Sequence, residues 1–173
     1  KSIFLVTNGQ EPDMIQKLQD EDALPTQLYL STNAADYESF MKINKPRYDD
    51  SWERWNSTLD MLKDLKTRTV LRITLIRDHN DQKESIPAFA EMFRKASPHF
   101  IEIKSYMHIG RSTNRLEYEN MLEMEEIKSF SEEIAKQSKI FSIMDESIVS
   151  RISILQNNER HIDRFIPTYA NTI

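Results

Sequence analysis

The chain has 173 residues, 39% of them hydrophobic and 29% charged, the proportions of a globular domain large enough for one sizeable core. It contains no cysteine, which excludes disulfides and any thiolate-ligated metal or cluster within it, and its four histidines, His79, His99, His108 and His161, lack metal-ligand spacing. A net charge of −5, only two glycines and no long apolar run argue against a general nucleic-acid coat, a Gly-rich phosphate loop and a membrane span.

The first expected element is a strand, Ile3–Thr7, that ends in Thr7-Asn8-Gly9. A short helical pattern follows over Pro12–Leu18, then a strand over Thr26–Ser31 that ends in Ser31-Thr32-Asn33. Asp50-Ser51-Trp52-Glu53 reads as a capping box before Trp52, Trp55, Leu59, Leu62 and Leu65, which share one helical face. The strand Thr69–Leu75 leads to Arg77-Asp78-His79-Asn80. Ser85 can cap the next helix, with Pro87 in its first turn and Ile86, Phe89 and Phe93 inward. The strand Phe100–Lys104 leads to Lys104-Ser105-Tyr106, and Glu123–Ser138 repeats the helical pattern through Ile127, Phe130 and Ile134. Two further apolar segments, 147–155 and 160–166, flank Gln156-Asn157-Asn158-Glu159 and predict a C-terminal hairpin. Strand–helix alternation predicts an α/β fold with a parallel sheet and right-handed crossovers.

Alternate strand residues face opposite sides of a sheet. Leu28 and Leu30, Leu71, Ile73 and Leu75, and Ile101 and Ile103 form aliphatic faces suited to helices. Gln27, Tyr29 and Ser31, Val70, Arg72 and Thr74, and Glu102 and Lys104 form the opposite faces. Inward Arg72, Glu102 and Lys104 suggest a site for a charged ligand, against the plainer reading of a self-satisfied Arg72–Glu102 ion pair. The four polar turns follow the carboxyl ends of strands, where parallel α/β proteins bind ligands.

In order along the chain, "FLVTNG", "TQLYLSTNA", "RTVLRITLIRDHN" and "FIEIKSYMHIG" resemble the later strands of a radical S-adenosylmethionine core. With "NRLEYENM" and "DESIVSRISIL" they resemble, more narrowly, the tRNA 4-demethylwyosine synthase family of wybutosine biosynthesis. The resemblance implies a partial TIM-like (β/α) barrel, with barrel elements over about residues 1–144 and a hairpin extension over 145–173. It implies a C-terminal piece of a longer cytoplasmic, monomeric enzyme, with the CxxxCxxC loop for a 4Fe-4S cluster upstream. The cofactors implied are S-adenosylmethionine, that cluster and, in a flavodoxin-like upstream domain, FMN. The implied reaction joins N1-methylguanosine-37 of tRNA-Phe with carbons of pyruvate.

On the same resemblance, Asn8, Ser31 and Asn33 fall where such cores contact S-adenosylmethionine. Arg72, Lys104 and Asn80 fall toward the substrate, and Lys45, Arg111 and Arg115 toward RNA. No catalytic residue and no metal ligand is assigned in this chain. The family pattern has Arg-Pro where Lys45-Pro46 stands, and Asn-Met-Pro then His where Asn120-Met121-Leu122 and Met124 stand. Arginine to lysine loses bidentate geometry, and histidine to methionine loses a proton carrier. Two other readings remain open: a non-catalytic RNA-binding or scaffold barrel, and an aldolase-like barrel with a Schiff base at Lys104.

Overall fold

The structure is a computed structural model that describes residues 1–166; the last part of the expected 145–173 extension lies outside the described residues. In chain order it forms β1 (Phe4–Thr7), α1 (Pro12–Asp20), β2 (Gln27–Ser31), α2 (Tyr37–Asn44) and α3 (Ser51–Met61). There follow β3 (Arg68–Leu75), α4 (Ile86–Ala96), β4 (Phe100–Ser105), α5 (Met124–Ser138), β5 (Phe141–Ser147) and β6 (Ile152–Asn157). The strands make one sheet in the order β1-β2-β3-β4-β6-β5. The first four are parallel, and β6 joins β4 antiparallel with β5 beyond it.

The strand faces divide as their alternation requires. Leu28, Leu30, Leu71, Ile73, Leu75, Ile101 and Ile103 are fully buried against residues from α1 to α5. Each such side chain contributes ~1.5–3 kcal/mol relative to remaining in water. Trp55, Leu59, Leu62 and Leu65 pack into this layer, as do Phe89, Phe93, Ile127 and Ile134. The other face carries Tyr29, Arg72, Thr74, Glu102 and Lys104, paired across the sheet as Arg72 with Glu102 and Thr74 with Lys104.

Several expectations are corrected. Asp50 makes no capping hydrogen bond; its carboxylate accepts from Arg54 Nε at 2.9 Å, so an i,i+4 ion pair replaces the capping box. The Ser85 hydroxyl donates to the Gln82 carbonyl rather than capping α4. A true capping box starts α5, where Glu123 and Glu126 exchange hydrogen bonds with each other's backbone. Helix α2 has no counterpart among the predicted elements; Asp36 caps it by accepting from Ser39 N–H at 2.9 Å.

The hairpin exists but lies one strand earlier than expected. Its turn is Ile148–Arg151, between β5 and β6, and Gln156 and Asn157 belong to β6 itself. Residues 158–166 form no strand. They run under the sheet, where the buried Arg68 guanidinium donates to the carbonyls of Arg164 at 2.8 Å and Asp163 at 2.5 Å. Arg164 pairs with Asp145 of β5, and Arg160 donates to the Ser97 carbonyl. This strap closes the end of the sheet opposite the polar turns.

Candidate functional site

The ends of β1 to β4 bring the four polar turns to one edge. At the first, Thr7 Oγ1 accepts from Gly9 N–H at 3.0 Å and Asn8 Oδ1 accepts from Gln10 N–H at 3.3 Å. These local bonds turn the chain without a partner strand. Gly9 has φ +75°, and a Cβ there would lie 2.7 Å from Leu30 Cδ1 and 3.1 Å from Trp55 Cδ1. The close approach lets Thr58 donate to the Gly9 carbonyl at 2.9 Å, while Trp55 Nε1 donates to the Ser31 carbonyl at 3.1 Å. Helix α3 is thus anchored to the ends of both β1 and β2.

Asn33 Oδ1 accepts from Thr74 N–H at 3.1 Å and its Nδ2 donates to Asn44 Oδ1 at 3.3 Å, so it ties the β2 turn to β3 and α2. Asn80 is buried. Its Oδ1 accepts from Ile76 N–H at 2.7 Å, and its Nδ2 donates to the carbonyls of Asn33 and Thr74 at 2.9 and 3.0 Å. Asn80 therefore holds the loop after β3 against the turn that carries Asn33.

Asn8, Ser31 and Asn33 line one cavity of about 400 Å³. Phe40, Tyr48 and Trp55 supply aromatic wall, and Gln10 lines it too. Gln10 is 8% exposed; its Nε2 donates to the Ser51 carbonyl at 3.0 Å, and its Oε1 has no partner among the described residues. A larger groove of about 570 Å³ lies between the start of α4 and α5, but none of the predicted site residues lines it.

On the polar face, Arg72 Nε meets Glu102 Oε1 at 2.6 Å, and the guanidinium carbon lies 4.5 Å from the Tyr29 ring centroid. Burial, then the Glu102 carboxylate, raises the Tyr29 phenol above its usual range. Arg72 is thereby engaged by an anion and a ring. Lys104, one step nearer the turns, is partly exposed and makes no ion pair among the described residues.

The loop from β4 to α5 is fastened at both ends and open between them. Ser105 Oγ accepts from Leu122 N–H at 2.9 Å. Arg77 pairs with Glu126 at 2.5 Å and donates to the carbonyls of Glu119 and Met121 at 2.9 and 3.0 Å. Tyr106 OH lies 3.1 Å from His108 Nδ1, and the His108 and Tyr118 rings meet edge-on with centroids 6.2 Å apart. Arg111, in a 3-10 turn, and Arg115 just after it are exposed. Lys45 is exposed at the C-cap of α2 with φ +46°, on the segment whose Pro46 and Tyr48 border the cavity.

Gln10, Arg77 and the cavity role of Trp55 are not legible in the sequence. Trp55 reads there only as core, and a glutamine after a turn carries no distinguishing signal. The Arg77–Glu126 pair is long-range and has no local pattern.

A family described as Wyosine base formation matches residues 95–157. S-adenosyl-L-methionine-dependent tRNA 4-demethylwyosine synthase of Methanocaldococcus jannaschii is 42% identical over 162 residues, which are 92% of this chain and 48% of that protein. The Pyrococcus abyssi protein of the same name is 39% identical over 156 residues, 90% of this chain and 45% of that protein. The chain thus spans about half the length of these relatives. A solved structure of TYW1 with a lysine-pyruvate adduct bound superposes with TM-score 0.80 at 40% identity, covering 92% of this chain and 48% of that one. Coproporphyrinogen III oxidase from Escherichia coli, a radical SAM enzyme, shares the fold alone, with TM-score 0.56 at 13% identity over 91% of this chain and 35% of that one.

Proposed function

The chain belongs to the tRNA 4-demethylwyosine synthase family, and from that premise we propose that it supplies later strands of a radical S-adenosylmethionine barrel that converts N1-methylguanosine-37 of tRNA-Phe with pyruvate to 4-demethylwyosine. One observation carries this most directly. Asn8, Ser31 and Asn33 line a single cavity at the carboxyl ends of parallel strands, beside a buried acceptor that has no donor among the described residues.

That donor set fits S-adenosylmethionine. Amides and a hydroxyl match its amino-acid and ribose groups, and the aromatic wall matches a planar base. The cofactor supplies the radical chemistry when bound; the residues here bind and orient it. A 4Fe-4S cluster does not fit this chain, which has no cysteine, and its ligands would lie elsewhere in the protein. The same reading carries a flavodoxin-like FMN domain upstream and a cytoplasmic monomer. No described helix is long and apolar enough to cross a membrane.

In this reading Lys104, partly exposed on the polar face near the strand end, takes a pyruvate carboxylate. Arg72, neutralised by Glu102, shapes the field beneath it. Asn80 acts on the substrate through the loop it holds. Arg111, Arg115 and Lys45 face tRNA as local cations on a chain of net charge −5.

The test uses the full-length protein that carries this chain, loaded with its clusters and given tRNA-Phe with N1-methylguanosine-37, a reductant and pyruvate. We expect 4-demethylwyosine by mass spectrometry, and Lys104→Met to raise the pyruvate KM about tenfold, the loss of one charge-assisted contact. Absence of product from fully loaded protein would favour the non-catalytic RNA-binding or scaffold reading.

A further inference from the structure

We infer that Gln10 is a binding residue of the cavity above β1 and β2, its Oε1 accepting a hydrogen bond from an N–H or O–H of the bound S-adenosyl cofactor. This rests on the reading of that cavity as the S-adenosylmethionine site.

The amide orientation is set by the protein. Gln10 Nε2 donates to the Ser51 carbonyl at 3.0 Å, and the reverse orientation would set two oxygens against each other. Oε1 is left buried without a donor among the described residues. A buried acceptor left unmet is destabilising, so its retention calls for a partner.

Three nearby donors are committed elsewhere. Ser51 Oγ donates to the Tyr48 carbonyl, Thr58 to the Gly9 carbonyl and Trp55 Nε1 to the Ser31 carbonyl. Arg54 reaches Gln10 only at its backbone carbonyl, at 3.2 Å. A ligand in the cavity that Gln10 lines can supply a donor to Oε1.

The other orphaned side-chain atom supports the distinction. Ser153 Oγ is also buried and unpartnered among the described residues, but it sits on β6 and lines none of the cavities described. Gln10 alone among the described residues joins an unmet acceptor to a ligand-sized space. As a neutral amide it takes a donor without fixing its charge. In S-adenosylmethionine that chemistry is offered by the ammonium on one half, and by the ribose hydroxyls and adenine amine on the other.

The experiment measures equilibrium binding of S-adenosylmethionine to the cluster-loaded full-length protein in three forms: wild type, Gln10→Met and Gln10→Glu. Gln10→Met keeps the shape and removes the acceptor, and we expect about fivefold to tenfold weaker binding, the worth of one hydrogen bond. Gln10→Glu keeps an acceptor oxygen and loses the donor to Ser51, and we expect affinity within about threefold of wild type. Methionine and 5′-deoxyadenosine as separate probes assign the partner: the half that carries the Gln10→Met penalty holds the donor. Equal losses in both variants would mean that only the Ser51 anchor matters, and an unchanged Gln10→Met would mean that a water or nothing meets Oε1; either overturns the inference. Failure of the wild type to bind S-adenosylmethionine would overturn the site reading itself, a result distinct from both.

Discussion

Gly9 and Gly110 both have positive φ, at +75° and +63°, but their surroundings differ. A Cβ at Gly9 would press on Leu30 and Trp55, whereas nothing lies within 4 Å of one at Gly110. Gly110→Ala should therefore cost only the backbone term, about 1 kcal/mol. Gly9→Ala should cost about 2–4 kcal/mol, because it adds overpacking in a buried layer, and it should shrink the cavity beside Asn8. Denaturant midpoints of the two variants check this, and equal losses would show that the Leu30 and Trp55 contacts are soft. His99 offers a second test at this scale. Burial, then the guanidiniums of Arg160 and Arg68, push its imidazole from 6.5 down to about 4. The neutral ring accepts Thr69 N–H at Nδ1, at 3.1 Å, and protonation removes that acceptor. Because the folded value is depressed, the unfolded state binds more protons between pH 4 and 6.5. The stabilising contribution is complete above pH 6.5 and is lost as the pH falls toward 4. The stability difference between wild type and His99→Asn should narrow across that window; a constant difference would show that His99 does not titrate there.

The loop between β4 and α5 shows how elements divide fastening from contact. Arg77, Ser105 and Glu126 hold its ends, while Arg111 and Arg115 stand exposed in the middle. Replacing both arginines with Ala in the full-length protein should weaken tRNA binding and flatten its salt dependence, with S-adenosylmethionine binding intact. Unchanged tRNA affinity across a salt titration would make the segment a solvated connection. Elements of this kind were legible where side-chain alternation and burial agree, as in Leu71, Ile73 and Leu75 against Arg72 and Thr74. They were illegible where the two part. Ile148 and Val149 look like strand residues, yet they are 74% and 94% exposed in the β5–β6 turn. β5 itself carries Asp145 and Glu146 and a register shift between Ile143 and Asp145, which breaks the alternation that marks a strand. The site follows the same division. Asn8, Ser31 and Asn33 sit in the turns after strands that the sequence marks, and they line the cavity, but Gln10 stands out only by burial and the lack of a partner among the described residues, which packing alone reveals.

At the scale of the molecule, one edge of the sheet carries the cavity and the Lys104 side, and the strap held by Arg68 covers the opposite end. β1 pairs only with β2 among the described strands, and Ile3, Phe4 and Val6 are 64%, 50% and 42% exposed. An apolar edge strand of this kind invites further pairing. In the proposed reading, the rest of the barrel continues from that edge and brings the thiolates that the cofactor chemistry requires. The division of labour is then sharp: this chain holds much of the cofactor's polar surface and none of the cluster's ligands. The isolated chain should accordingly form no 5′-deoxyadenosine when supplied with iron, sulfide, a reductant and S-adenosylmethionine, since without cysteine it offers no thiolate to a cluster. The full-length protein under the same treatment should form it. Cluster-dependent product from the isolated chain, above a control without protein, would mean that oxygen or nitrogen ligands suffice here and would sink that division of labour.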